Sequence, residues 1–283
     1  NELWLDQNVA DSFNAWQRSL QQDIGLCYVS GEKRTLSTKH PAKLRHTGDK
    51  AKLISSNDTS GFTYLGRFRN EKEVVGVSYE TSQKAHNMLK WLISQRGFRN
   101  DTQVFVAWGT EMQTLPNLSE DTAELFSLDE GMDGEEGLSE SALYQQNLRG
   151  EYARRFRQAM AGYGRSIHDT DGVVVMGVDS ATTGRLSIIF YREIAETEFL
   201  QRIESWHRQC SWLHTYKFKD KKRMPFIGAP GPRDIALAAY GANAAKNLIK
   251  ATVEKLLHCI VDGEPIEPGL RNSLLQRAGN PVA

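Results

Sequence analysis

Apolar side chains recur at helical spacing over residues 6–23, where Val9, Phe13, Trp16 and Leu20 share one side, and this predicts a helix. Residues 26–30 read as a short strand stopped by Gly31, and 33–45 as a basic loop. Strands are predicted at 52–56 and 61–68, with a further one over 74–79. The clearest helix spans 81–96, with Ala85, Met88, Leu89, Leu92 and Ile93 as its apolar face and Gly97 as its stop. Gln103 to Trp108 is rich in β-branched and aromatic residues and predicts a core strand. A basic helix follows over 141–161, with Arg149, Arg154, Arg155 and Arg157 outside and Leu148, Tyr152, Phe156 and Met160 inside. Strands at 173–178 and 185–192 are joined by a turn at 179–184. A helix over 196–212 buries Phe199, Leu200, Ile203 and Trp206, Pro232 opens a helix to Tyr240, and 244–261 forms the last long helix. Strands and helices interleave without an internal repeat. The expected fold is α+β (mixed α/β), an antiparallel or mixed sheet flanked by helices, with a helical carboxyl-terminal part. The expected organisation is a first α/β portion (1–118), an acidic flexible loop (119–140), a second α/β portion of the same domain (141–231) and a helical portion (232–283).

Composition narrows the class. The 283 residues are 40% hydrophobic and 25% charged, enough for a full globular core. No apolar run approaches the roughly 18–20 residues a membrane-spanning helix needs, so no membrane partner is expected. The chain opens without an initiator Met and without the charged and apolar regions of a secretory signal, as a fragment of a longer protein would. Cys27, Cys210 and Cys259 lack CxxC spacing, which argues against a disulfide framework or a structural zinc site and fits a reducing cytoplasm. The net charge of zero conceals an uneven distribution. Residues 119–140 hold nine acids and no base, which leaves 35 bases against 26 acids in the remaining chain. That block, interrupted by Gly131, Gly134 and Gly137, reads as a solvated loop or as a polyanion mimic seated in a basic groove.

Catalytic patterns are weak. Asp169, Asp171 and Asp179 flank a predicted strand, where carboxylates can hold divalent ions for phosphodiester hydrolysis, but HDTDG is equally a turn. The seven histidines form no HxH, HExxH or HxxxH pattern, and there is no GxSxG. His207 and Cys210 share a helix face, yet Trp206 and Trp212 around them favour packing. Gly228-Ala229-Pro230-Gly231 lacks both the dinucleotide and the Walker endings. No catalytic residue, metal ligand or cofactor is assigned.

Polyanion chemistry is better represented. In KAKLISSNDTSGFTYLGRF (50–68), Lys50 and Lys52 lead into a knot of small hydrogen-bonding residues that closes on Gly66-Arg67. Such a loop can hold phosphates, or its polar side chains can satisfy their own backbone. Tyr216-Lys217-Phe218-Lys219-Asp220-Lys221-Lys222-Arg223 alternates aromatic and cationic residues, a run able to pair phosphates and stack an unpaired base. With 33–45 and the arginines of the 149–157 helix, the chain carries several separated cationic surfaces, as suits a protein that grips more than one strand.

CYVSGE at 27–32, the block at 50–68, YETSQKAHNMLKWLI at 79–93, VFVAW at 104–108, VMGVDSATTGRLSIIFYREI at 175–194, PRDIALAAYG and RNSLLQRAGNPV occur in a shared order. Together they resemble the large subunit of the type I-C (Dvulg subtype) CRISPR surveillance complex, Cascade, over nearly the whole chain. The resemblance implies a non-catalytic subunit of bacterial, cytoplasmic antiviral defence. Its implied partners are guide RNA, target double-stranded DNA, the Cascade backbone and small subunits, and a helicase–nuclease recruited in trans. The implied tasks are checking the protospacer-adjacent motif and promoting the R-loop. Family members extend before the position of Asn1 and beyond that of Ala283, so a central fragment is expected. The contact residues rest on charge and loop chemistry: Lys50, Lys52, Ser55, Asn57 and Arg67 toward phosphate or base edges; Lys217, Lys219, Lys221, Lys222 and Arg223 along backbone; Tyr216 or Phe218 for stacking.

Overall fold

The computed structural model describes residues 3–20, 23–55, 68, 71–111, 114–127, 145–164, 172–217 and 223–280. It divides into two compact units, the first comprising Asn1–Gln95 with Val178–Ile188, the second Arg96–Gly177 with Ile189–Ala283.

In the first unit, a 3-10 turn (Leu3–Leu5) leads to α1 (Gln7–Ser19), which begins where the Asp6 carboxylate accepts the Asn8 N–H at 2.9 Å. Strands β1 (Ile24–Leu26) and β2 (Lys33–Thr35) pair antiparallel, Ile24 opposite Thr35. Gly31, at φ 71°, makes the turn between them, and Cys27 N–H donates to Glu32 O at 2.9 Å. Helix α2 (Glu71–Val74) is one turn long, and α3 (Tyr79–Arg96) follows. Ser78 caps α3, its hydroxyl oxygen accepting the Thr81 N–H. Helix α3 is the element expected at 81–96, but its buried face is Ser82, His86, Leu89, Leu92 and Ile93, while Met88 is 42% exposed. The stripe is rotated because its first two turns meet the buried imidazole of His40 rather than apolar side chains.

Two further expectations change. The strand predicted over 74–79 is replaced by the end of α2 and a lone bridge from Ser78 to Leu36. Of the strand predicted at 52–56, Lys52 forms a single parallel bridge to Arg185; residues 56 and 61–67 lie outside the described residues.

The second unit opens with β3 (Phe98–Asn100) and β4 (Gln103–Gly109), antiparallel with Phe98 opposite Phe105. Helices α4 (Thr122–Ser127) and α5 (Gln145–Gly164) follow, then β5 (Gly172–Thr182), β6 (Arg185–Ala195) and α6 (Glu196–Gln209), the Val178–Ile188 stretch of β5 and β6 being counted with the first unit. The chain continues through β7 (Trp212–Lys217), β8 (Arg223–Gly228), α7 (Pro232–Tyr240), α8 (Lys246–Asp262) and α9 (Pro268–Gly279). Strands β3-β4-β5-β6 form a sheet in that order, and β7 with β8 an antiparallel hairpin. Val104, Phe105 and Val106 are all at most 2% exposed, which explains why β4 reads as an uninterrupted apolar run. The core of this unit gathers Phe105, Phe156, Phe199, Ile203, Val253, Leu256 and Leu257. The α+β expectation, with antiparallel pairing and helices closing the chain, matches this architecture.

The acidic segment is not all loop: α4 occupies its first part, because Leu125 has a fully buried site to fill. The predicted turn at 179–184 shrinks to Thr183-Gly184, so Asp179 lies inside β5 rather than ending it. The helix expected to run to residue 212 ends at Gln209, and α9 had no counterpart among the predicted elements.

Candidate nucleic-acid interface

The approach to Lys50 and Lys52 is built on a buried ion pair. Arg45 and Asp49 are 8% and 4% exposed. Arg45 Nε donates to Asp49 Oδ2 at 2.8 Å, Nη2 to Oδ1 at 3.0 Å, and Nη1 to Ser180 Oγ at 3.2 Å. Asp49 Oδ1 also accepts the Ala51 N–H at 3.0 Å. Lys43 takes φ 62° so that its N–H reaches Asp49 O. The Arg45 guanidinium holds the Asp49 carboxyl below the usual carboxylate range, outweighing the upward push of burial. Arg45, grouped by sequence with the loop cations, is therefore a structural residue, because its fork is consumed by Asp49. Asp49 itself escaped the sequence reading, although Arg45 and Asp49 stand four apart around Thr47-Gly48.

Lys50, beyond this clamp, is exposed. Lys52 is half-buried, and its backbone is tied on both sides: N–H to Gly184 O at 3.1 Å, and O to the Leu186 N–H at 2.9 Å. Ser55 is exposed, and Asn57 and Arg67 lie outside the described residues. His40 and His86 form a small imidazole cluster within electrostatic reach of Lys52. His40 Nδ1 meets Ser82 Oγ at 2.8 Å, and the His40 and His86 rings are 6.0 Å apart. Burial, then the charges of His86 and Lys52, push His40 down to about 4, so it is neutral at pH 7.

The second basic region changes character. Residues 212–217 are a strand, and the register places Tyr216 opposite Met224 and Lys217 opposite Arg223. Two basic residues therefore close the ladder at the end nearest residues 218–222. Phe218, Lys219, Lys221 and Lys222 lie outside the described residues. Arg154 is exposed and donates to Gln158 Oε1 at 3.1 Å, while Arg155 and Arg157 also have partners.

The thiol–imidazole pairing of His207 with Cys210 does not form. His207 Nδ1 lies 2.9 Å from Thr122 Oγ1, which accepts the Ala229 N–H at 2.7 Å, leaving the hydroxyl proton for the imidazole. Burial pushes His207 down to about 4, and burial with the neighbouring Cys259 pushes Cys210 up to about 11, the wrong direction for a nucleophile. At Cys27, burial raises the thiol but hydrogen bonds from Ser30, Ser78 and Val29 outweigh it and bring it to about 6. Among the described residues no three His, Cys, Asp or Glu side chains are grouped to hold a metal ion. Asp169 and Asp171 lie outside them. Asp179 Oδ1 accepts the Ser180 N–H at 2.7 Å.

Along residues 1–283 the chain matches a family of CRISPR-associated proteins. It belongs to the Cas_Csd1 family, that of the type I-C large subunit which its sequence blocks resemble. No curated protein matches the chain at a significant level.

Proposed function

We propose that the chain is a non-catalytic, nucleic-acid-binding part of a type I-C Cascade. In this reading it engages guide RNA and target DNA, takes part in protospacer-adjacent-motif recognition and supports R-loop formation. The backbone and small subunits would assemble with it, and a helicase–nuclease would act in trans. Beyond family membership, one observation carries the reading: Lys217 stands opposite Arg223 at the end of the β7–β8 ladder. The register thus brings two basic positions to the ladder end that adjoins the basic stretch 218–222 of the sequence, a charge pattern that suits phosphate. Lys50 and Lys52 flank Ala51, whose N–H the Arg45–Asp49 clamp holds, and would supply a second cationic point.

The test is the salt dependence of duplex binding by the assembled complex, comparing wild type with Lys217→Ala/Lys221→Ala/Lys222→Ala/Arg223→Ala. Each lost phosphate contact flattens the slope of log K against log[salt] by about 0.9. A four-residue change should therefore lower the slope by roughly 2–4. An unchanged slope would sink the hairpin assignment. Full target binding after Lys50→Ala/Lys52→Ala is added would leave a purely structural subunit.

A further inference from the structure

A groove of about 500 Å³ lies between α1, β2 and α3. One wall carries Phe13, Asn14 and Gln17, the other Tyr79, Gln83 and Asn87. The spacings place each set on one helix face: 13, 14 and 17 on α1; 79, 83 and 87, one turn apart, on α3. None of the four carboxamides hydrogen-bonds another described residue through its side chain, and Asn14 and Asn87 are exposed. A carboxamide presents a donor and an acceptor side by side. Four of them in one groove form a surface for a ligand with the same alternation.

The cations at the rim are already engaged. Arg34 pairs with Glu32 at 2.7 Å and Glu80 at 3.4 Å, and Lys84 with Glu80 at 2.7 Å. The groove therefore offers little to a phosphate and suits a neutral group. Its aromatic component is a ring face rather than a hole: Phe13 is 55% exposed and stands 5.8 Å from Trp16, also 55% exposed. Adjacent exposed rings are a stacking platform for unpaired bases. An extended peptide would seek a free strand edge. Beyond β2, however, Leu36 bridges Ser78 and the Ser37 N–H donates to Val77 O, so the edge leading into the groove is occupied.

We propose that this groove binds an unpaired nucleobase of a single strand, stacked on Phe13 and read at its edge by Asn14, Gln17, Gln83 and Asn87. The choice of a nucleic-acid ligand rests on the proposed function above; the site is separate from the cationic contacts proposed there. Fluorescence anisotropy of the full chain tests it, with labelled mixed-sequence single-stranded DNA, the same sequence as RNA, and an abasic DNA of equal length. Phe13→Ala and Gln83→Leu/Asn87→Leu should each weaken binding of a base-bearing strand about tenfold and leave the abasic strand unaffected. The arm that responds, DNA or RNA, names the strand. Lys50→Ala/Lys52→Ala should weaken abasic and base-bearing strands alike, so failure of the cationic reading is seen separately. Circular-dichroism melts confirm folding, and Gln17→Ala, a milder truncation, gives a second measure in the same assay. Unchanged affinity of the folded variants for base-bearing DNA and RNA would overturn the proposal. So would a loss of protein-subunit assembly in those variants with strand binding intact, which would make the groove a protein-docking site.

Discussion

Arg45 and Asp49 hold each other through two hydrogen bonds in a site from which water is largely excluded. Removing either partner strands the other charge, so Arg45→Met should destabilise the chain by about 3–5 kcal/mol in urea unfolding. Arg45→Lys should recover only part of this, since an ammonium cannot form the two parallel bonds of the guanidinium. A loss under about 1 kcal/mol for Arg45→Met would mean that the pair is solvated. At this scale the sequence was legible in charge but not in burial. Arg45 and Lys43 look alike in a list of bases, and only the fold separates a residue locked to Asp49 from its exposed neighbour two positions earlier. Lys50 and Ser55 are exposed.

The elements read best from sequence are those with a strong period and a conventional stop. Helix α3 ends at Arg96 before Gly97, and α7 starts at Pro232 as predicted. Its register is another matter, since Ser82 and His86 replace Ala85 and Met88 on the buried side of α3. Hydrophobicity cannot announce a polar buried stripe whose partner, His40, is more than forty residues away. Strand β7 was not among the predicted elements, because the run from Tyr216 to Arg223 was read for its alternating aromatic and cationic residues, which suggested binding before pairing. Strands β5 and β6 were found but shortened, because Asp179, Ser180 and Thr182 are turn formers by composition and are held in the ladder by its continuation. Gly177 in β5 is needed for packing: an added Cβ would lie 2.6 Å from the Phe105 ring and 3.0 Å from Phe190 Cβ. Gly177→Ala should lower stability by about 1–3 kcal/mol, and Phe105→Leu in the same chain should return part of it. Thermal melts of the two variants and wild type decide the point; additive losses would place the strain elsewhere.

Across the molecule, the two units share a dependence on neutral buried imidazoles. His40 in the first and His207 in the second are both lowered to about 4, from an ordinary 6.5. Unfolded chain takes up these protons first as pH falls, so stability should drop between about pH 6.5 and 4 and level off below, as far as these groups are concerned. Denaturant midpoints at pH 7, 6 and 5 measure it, and His40→Gln/His207→Gln should show a shallower decline. An equally steep decline in that variant would assign the acid sensitivity to other groups. The discontinuity of the first unit was the least legible property, because Val178–Ile188 carries no proline, no linker composition and no change of charge to mark its allegiance. It also sets an order in time. When residues 1–95 have left the ribosome, Ser180, which receives the Arg45 guanidinium, has not been made, nor have Gly184 and Leu186, which fasten the Lys52 backbone. The segment bearing Lys50 and Lys52 therefore stays unfastened during synthesis until a large part of the second unit has been translated. Its ties to Ser180, Gly184 and Leu186 are a completion step, added to the local Arg45–Asp49 pair whose partners are already translated.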